Sequence, residues 1–228
     1  MKRWMYRGWS DDAAKAQAFF RAFGQGEKSR ETKRKMAGTG VARISLFEGS
    51  GHWFLYAETE IANERAGIPF EAFFPGLPSV LAGWPGERES RTCVPMSDIF
   101  HYRRDADSRS WRRTRQTESY GRLARLRPDK ISSYVFYHYQ YQEEKPGDGD
   151  KYGIIGLHEQ WLFFYAERPA TLEAAPYEGT LNTRRTPEDW GTVMRPHFIP
   201  WTEAEENEDV WLNLERVLEI GAAQEEGE

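Results

Sequence analysis

Two glutamates, Glu58 and Glu167, each close a Tyr-Ala-Glu tripeptide, in the phrases WFLYAE (53–58) and LFFYAE (162–167). A third group able to move protons near neutral pH, His138, stands among tyrosines in SSYVFYHYQYQ (132–142). Two carboxylates and an imidazole can perform general acid–base catalysis if all reach one ligand within hydrogen-bonding distance. His138, Glu58 and Glu167 are therefore the candidate catalytic residues. Arg43, Tyr56, Gln140 and Tyr165 are the candidate ligand contacts. The plainer alternative has the glutamates at strand ends in solvent, or paired with Arg43, and His138 packed as a hydrogen-bonded core residue.

Other chemistries lack their signatures. The histidines at 52, 101, 138, 158 and 197 show no H-x-H or H-x-x-x-H spacing, so no metal site and no cofactor are expected. GSG at 49–51 reads as a turn and not as a phosphate loop. No G-x-S-x-G elbow occurs, and the single cysteine, Cys93, has no activating neighbour in the sequence and no partner for a disulfide. The net charge of −5 argues against a nucleic-acid binder, although Arg103 to Lys130 holds ten Lys/Arg against four Asp/Glu. That basic stretch reads as a solvated linker. No apolar run approaches the roughly 20 residues that span a bilayer, and MKRWMYRGWS lacks the form of a signal peptide. A cytoplasmic protein without a membrane partner is the expectation.

The elements that must position these residues follow from periodicity. RWMYRGW at the start reads as a strand. Ser10-Asp11-Asp12 then opens a helix whose buried face is Ala16, Phe19, Phe20 and Phe23, at i, i+3, i+4, i+7. VARISLF (41–47) and HWFLYAE (52–58) read as a hairpin. Phe70 to Trp84 has helical spacing broken near Gly76, and TCVPMSDIFHY (92–102) reads as a closing strand.

The pattern then restarts. SSYVFYHYQYQ reads as a strand, EKPGDGDK as a tight turn in place of a helix, and YGIIGLH with WLFFYAE as a second hairpin. Thr186-Pro187-Glu188-Asp189 opens a short helix, and WLNLERVLEI (211–220) reads as the last strand. The repeated phrase thus marks the third strand of two β-α-β-β-α-β units.

The fold class is α+β: two tandem ferredoxin-like units forming an intramolecular two-sheet barrel, with the first helix of the second unit lost. The division is 1–104 for the first unit, 105–130 for the basic linker, 131–221 for the second unit and 222–228 for an acidic tail. Alternation puts Trp53, Leu55 and Ala57 on one strand face and Phe54, Tyr56 and Glu58 on the other. The wholly apolar face should meet the helices. The polar-tipped face, with Arg43, His138 and Gln140, should line a lumen. A monomer with a pseudo-dimeric barrel is expected.

ARISLFEGSGHWFLYAETEIA, FEAFFPGLPSVLAGW and SDIFHY together resemble the L-rhamnose mutarotase family, within the dimeric α/β-barrel superfamily. The resemblance implies a barrel that interconverts sugar anomers without a cofactor, by proton transfers to the ring oxygen and the anomeric hydroxyl. The family's catalytic histidine lies on its first helix, whereas AQAFFRAFGQ here has none, so His138 would have to take that role. The functional expectation is a small polar ligand, a sugar in its sharpest form, with mutarotase-like isomerase chemistry. The alternatives are a non-catalytic binding or accessory protein, and a cofactor-free monooxygenase or haem-handling protein.

Overall fold

The computed structural model describes residues 1–60, 67–85, 90–102, 111–112, 117–174, 178–202 and 209–221. Two compact units divide the chain, and the division is not a simple cut. Unit 1 takes 1–96, 105–115 and 215–228, and unit 2 takes 97–104 and 116–214.

Unit 1 runs β1 (Lys2–Trp9), α1 (Ala13–Arg21), α2 (Gly26–Gly38), β2 (Val41–Gly49), β3 (His52–Thr59), α3 (Phe70–Phe73) and β4 (Val94–Pro95). Asp12 caps α1 by accepting the Lys15 amide at 2.9 Å, and Ala16, Phe20 and Phe23 are buried as the spacing predicts. The β2–β3 turn holds Ser50 and Gly51 at φ 53° and 77°. Positive φ at both central residues matches a tight turn to the twist of its flanking strands. Further on, Gly76 turns at φ 91° and Leu77–Ser79 form a separate helical turn, as the two prolines require. Trp53, Leu55 and Ala57 pack with Phe20, Phe23 and Phe74 in one core, so the apolar face of β3 does meet the helices.

Unit 2 runs β5 (Ser97–His101), β6 (Glu118–Arg125), α4 (Ile131–Glu144), β7 (Ile154–His158), β8 (Trp161–Arg168), α5 (Trp190–Met194) and β9 (Leu212–Asn213). The last strand of the chain, β10 (Glu215–Gly221), belongs to unit 1. Each sheet is antiparallel and five-stranded, in the orders β10-β2-β3-β1-β4 and β5-β7-β8-β6-β9. Removing the fifth strand from each leaves β4-β1-β3-β2 and β9-β6-β8-β7, the same order twice. The fold is therefore α+β, built from two tandem ferredoxin-like units.

The fifth strands come from an exchange. TCVPMSDIFHY is two pieces: β4 closes the first sheet, and β5 joins the edge of the second beside β7. WLNLERVLEI divides the same way, β9 closing the second sheet and β10 joining β2 of the first. Sequence periodicity cannot register such a change of sheet, because the residues stay extended throughout.

One element departs from the sequence reading. SSYVFYHYQYQ is not a strand but most of α4, so the first helix of the second unit is present and not lost. The strand of that repeat is β6, inside the stretch read as a basic linker. Tyr, Val and Phe favour strands only where a pleated surface receives them. Here Tyr134, Tyr137, His138 and Tyr141 fall at i, i+3, i+4, i+7 and pack on the second core, a helical spacing that the aromatic composition masked. The acidic tail at 222–228 lies outside the described residues.

Candidate functional site

The two Tyr-Ala-Glu phrases make the same local structure. Tyr56 Oη donates to Glu58 Oε1 at 2.7 Å, and Tyr165 Oη donates to Glu167 Oε1 at 2.6 Å. Residues two apart on a strand share a face, which lets each tyrosine reach its glutamate. Both carboxylates are buried. In unit 1, Arg112 grips Glu58 with Nε to Oε2 at 3.0 Å and Nη2 to Oε1 at 2.5 Å. Burial alone would raise the Glu58 carboxyl, but the Arg112 charge and hydrogen bonds outweigh it and hold the group below its ordinary value. Arg43 stands beside Glu58 in the β2–β3 register and pairs with Glu219 at 2.8 Å. In unit 2, Thr117 donates its hydroxyl to Glu167 Oε2.

The seven residues singled out in the sequence are divided between the two units. Arg43, Tyr56 and Glu58 lie in unit 1; His138, Gln140, Tyr165 and Glu167 lie in unit 2. His138 and Gln140 are on α4 and not on a lumen-facing strand. Gln140 donates Nε2 to Glu144 Oε1 at 3.1 Å. Of the seven, His138 alone lines a hollow of about 720 Å³ within unit 2.

That cavity sits on the helix side of the second sheet. Phe100, Ile155, Phe164 and Arg122 form its floor, one from each of four strands. Tyr134, His138 and Tyr141 line the α4 wall. Trp190 and Met194 of α5 form the roof, and Trp211 adds a further ring. Asp189 caps α5 by accepting the Thr192 amide at 3.1 Å, and Arg195 pairs with Asp209 through two bonds, at 3.2 and 2.8 Å.

His138 is the chemically distinctive member of this wall. Its Nδ1 donates to the Tyr134 carbonyl at 2.9 Å. A carbonyl only accepts, so in the neutral ring the proton is on Nδ1 and Nε2 carries the lone pair. Nε2 has no hydrogen-bond partner among the described residues. The ring is packed between Tyr134 at 4.0 Å, Trp190 at 5.0 Å and Phe100 at 5.3 Å. Burial pushes its pKa down to about 4; the Tyr134 carbonyl pulls the other way and nearby His197 adds to the depression. At neutral pH His138 is therefore an uncharged acceptor in an aromatic wall.

Unit 1 has a smaller groove of about 500 Å³ along Tyr6, Ile68, Phe70 and Cys93. Two of its polar groups are engaged or inert. Tyr6 Oη accepts the Ile68 amide at 3.2 Å, and burial raises the Cys93 thiol to about 12, far from a reactive thiolate. Among the described residues no cluster of His, Cys, Asp and Glu is placed to hold a metal ion, and no helix is long and apolar enough to cross a membrane.

Sequence reasoning found His138 but placed it on the wrong element. It missed Trp190, Trp211 and Arg122 as cavity residues, since nothing local marks a side chain as facing a hollow. Trp190 was legible as a helix-face residue, and Arg122 was hidden in the basic stretch.

No protein-family model and no curated protein matches the chain. Two solved structures are similar in outline. A proposed monooxygenase from Fusobacterium nucleatum matches with TM-score 0.43 and 8% identity, covering 96% of this chain and 93% of that one. A proposed monooxygenase from Lactobacillus acidophilus NCFM matches with TM-score 0.45 and 6% identity, covering 97% of each chain.

Proposed function

We propose that unit 2 binds a small planar molecule in the aromatic cavity, with a hydroxyl of that ligand donating a hydrogen bond to His138 Nε2. The observation that carries this reading is the uncharged His138 ring, held by the Tyr134 carbonyl with its open nitrogen in an aromatic wall. Aromatic floor, wall and roof favour offset or edge-on contact with a flat ring system. A cavity of about 720 Å³ is within the range that encloses a drug-sized molecule. The hydrogen bond orients the ligand. With a pKa near 4 the ring takes up no second proton at neutrality, so the resting role of Nε2 is to accept and polarise.

Titration of the full chain with naphthol, followed by tryptophan fluorescence, tests this. Trp190 and Trp211 report occupancy directly. Saturable quenching is expected, and His138→Ala should weaken it about tenfold, the worth of one hydrogen bond in an apolar site. Absence of saturable binding by naphthol overturns the reading.

The sugar mutarotase version would have to run on His138 without Glu58 and Glu167, which are held in their Tyr–Glu pairs and do not line the cavity. Anomer exchange at the same rate in wild type and His138→Ala removes it. The monooxygenase alternative uses the same cavity and acceptor, and oxygen uptake with a naphthohydroquinone distinguishes it from binding alone.

A further inference from the structure

We propose that the Tyr134 hydroxyl donates to a carbonyl oxygen of the ligand, so that the compound taken by unit 2 is a planar hydroxy ketone held at two uncharged points. This inference rests on the aromatic-cavity reading above and adds the ligand's second polar group to it.

Tyr134 and His138 lie one turn apart on α4, with ring centroids 4.0 Å apart, and both line the hollow. The backbone carbonyl of Tyr134 accepts from His138 Nδ1. Its side chain is placed differently. Tyr134 is 1% exposed, yet its hydroxyl has no hydrogen-bond partner among the described residues. The oxygen is not sealed in packing either, so what little of the side chain is open faces the hollow it lines.

A buried hydroxyl without a partner costs free energy. Phenylalanine would keep the same ring contacts, with His138, with His197 and edge-on with Phe198 at 5.4 Å, and would carry no such cost. The hydroxyl thus adds nothing to the packing, and its partner has to come from whatever fills the hollow. The other two phenols of the wall are served elsewhere. Tyr141 donates to Asp148 Oδ2 at 2.9 Å, and Tyr102 is only half-buried, where water can meet its hydroxyl.

Burial pushes the Tyr134 phenol well above its ordinary pKa, and nearby Tyr102 adds to the rise, so the proton stays on the oxygen. That makes the group a donor to any acceptor a ligand brings. His138 Nε2, one turn along, accepts. One wall therefore offers one donor and one acceptor, both uncharged at neutral pH. A ligand that satisfies both presents a carbonyl to Tyr134 and a hydroxyl to His138.

The test titrates two flat probes calorimetrically into the full chain at neutral pH. One is a hydroxyindanone whose hydroxyl and carbonyl are too far apart to bond each other; the other is hydroxyindane, the same skeleton without the carbonyl. Tyr134→Phe should weaken hydroxyindanone about tenfold and leave hydroxyindane unchanged, whereas His138→Ala should weaken both. Because the lost hydroxyl has no partner in the protein, Tyr134→Phe without ligand should melt at or above wild type. An equal loss for both probes in Tyr134→Phe, or no loss for either, overturns the Tyr134 assignment and leaves the cavity reading intact. A Tyr134→Phe variant that melts well below wild type, or does not fold, shows the hydroxyl committed within the protein and overturns it too. If neither probe binds wild type the Tyr134 assignment falls, and the naphthol titration decides the cavity reading separately.

Discussion

The ring of Trp190 meets the ring of His138 edge-on, with centroids 5.0 Å apart and planes at 75°. This contact joins the first residue of α5 to the middle of α4 and seals one side of the imidazole from water. Desolvation is the largest cause of the low His138 pKa. Trp190→Ala should therefore move that pKa up toward the ordinary 6.5, because water reaches the ring and stabilises the charged form. The imidazole carbon-bound proton shifts, followed by NMR across the acidic range, measure it. A pKa unchanged from about 4 would show that Trp190 does not shield the ring.

The same shift sets a pH dependence of stability. The folded pKa of about 4 lies below the unfolded value of 6.5, so between them the unfolded chain binds more protons. Above pH 6.5 His138 costs nothing; as the pH falls toward 4 the protein loses stability, and below 4 the loss levels off. The size for this buried group is about 3 kcal/mol. Urea denaturation across that window should show the decline in wild type and a visibly flatter profile in His138→Gln. Parallel profiles for the two proteins would exclude His138 as the source.

A carboxylate at the end of α4 positions the roof. Glu144 accepts the Arg185 amide at 2.9 Å and the Thr186 amide at 2.7 Å, with the Thr183 and Thr186 hydroxyls and Gln140 also donating to it. Desolvation pushes the group up, but these donors outweigh it and hold the carboxylate far below its usual range. Glu143 binds an earlier residue of the same loop, Thr180, through its amide at 3.0 Å and its hydroxyl at 2.8 Å. The loop so pinned leads straight into Asp189 and Trp190. Glu144→Gln should speed hydrogen exchange at the Arg185 and Thr186 amides several-fold and weaken naphthol binding, with the Lys2–Trp9 strand unaffected. Protection unchanged at both amides would show that the loop holds itself in place.

The buried pair in unit 1 behaves differently. Removing Arg112 leaves Glu58 buried without its counter-charge, which costs about 3 kcal/mol or more and drives the carboxyl to take up a proton. Arg112→Ala should be strongly destabilised at neutral pH and recover partly in the double variant with Glu58→Gln. Because Glu58 does not line the unit 2 cavity, the double variant should bind naphthol as wild type does. Thermal melts and the fluorescence titration check both halves. Lost binding in a folded double variant would mean that the Tyr–Glu pair serves the ligand after all.

What the sequence made legible was what is local or periodic. The hairpins, the broken helix at Gly76, the buried face of α1 and the presence of two similar halves all follow from spacing and from glycine and proline. The site was legible only in part. His138 stood out as a titratable group among rings, but alternating aromatics in SSYVFYHYQYQ satisfy a strand pattern and a helix pattern alike. Arg122 could not be distinguished from nine other basic residues of its stretch without the register that opposes it to Phe164. The Tyr-Ala-Glu phrase drew the eye because it repeats, yet repetition reports shared architecture, and each copy is a buried hydrogen-bonded pair.

The exchanged strands give the last prediction. β10 leaves its own repeat to pair with β2, and Val217, Leu218 and Ile220 are buried in the first core. Burying such side chains stabilises by about 1.5–3 kcal/mol each, so together they rival the whole stability of an ordinary domain. Ending the chain after Leu214 should therefore strip unit 1 of an edge strand and expose β2, whose unpaired backbone then invites association. Unit 2 keeps all five of its strands in such a chain, since β9 ends at Asn213. The expected outcome is a protein that aggregates through its first half while backbone amides of β6 and β8 stay protected from exchange. Equal loss of protection in β3 and β8 would show that the two halves fold as one cooperative block, and that the exchanged strand is not a local support.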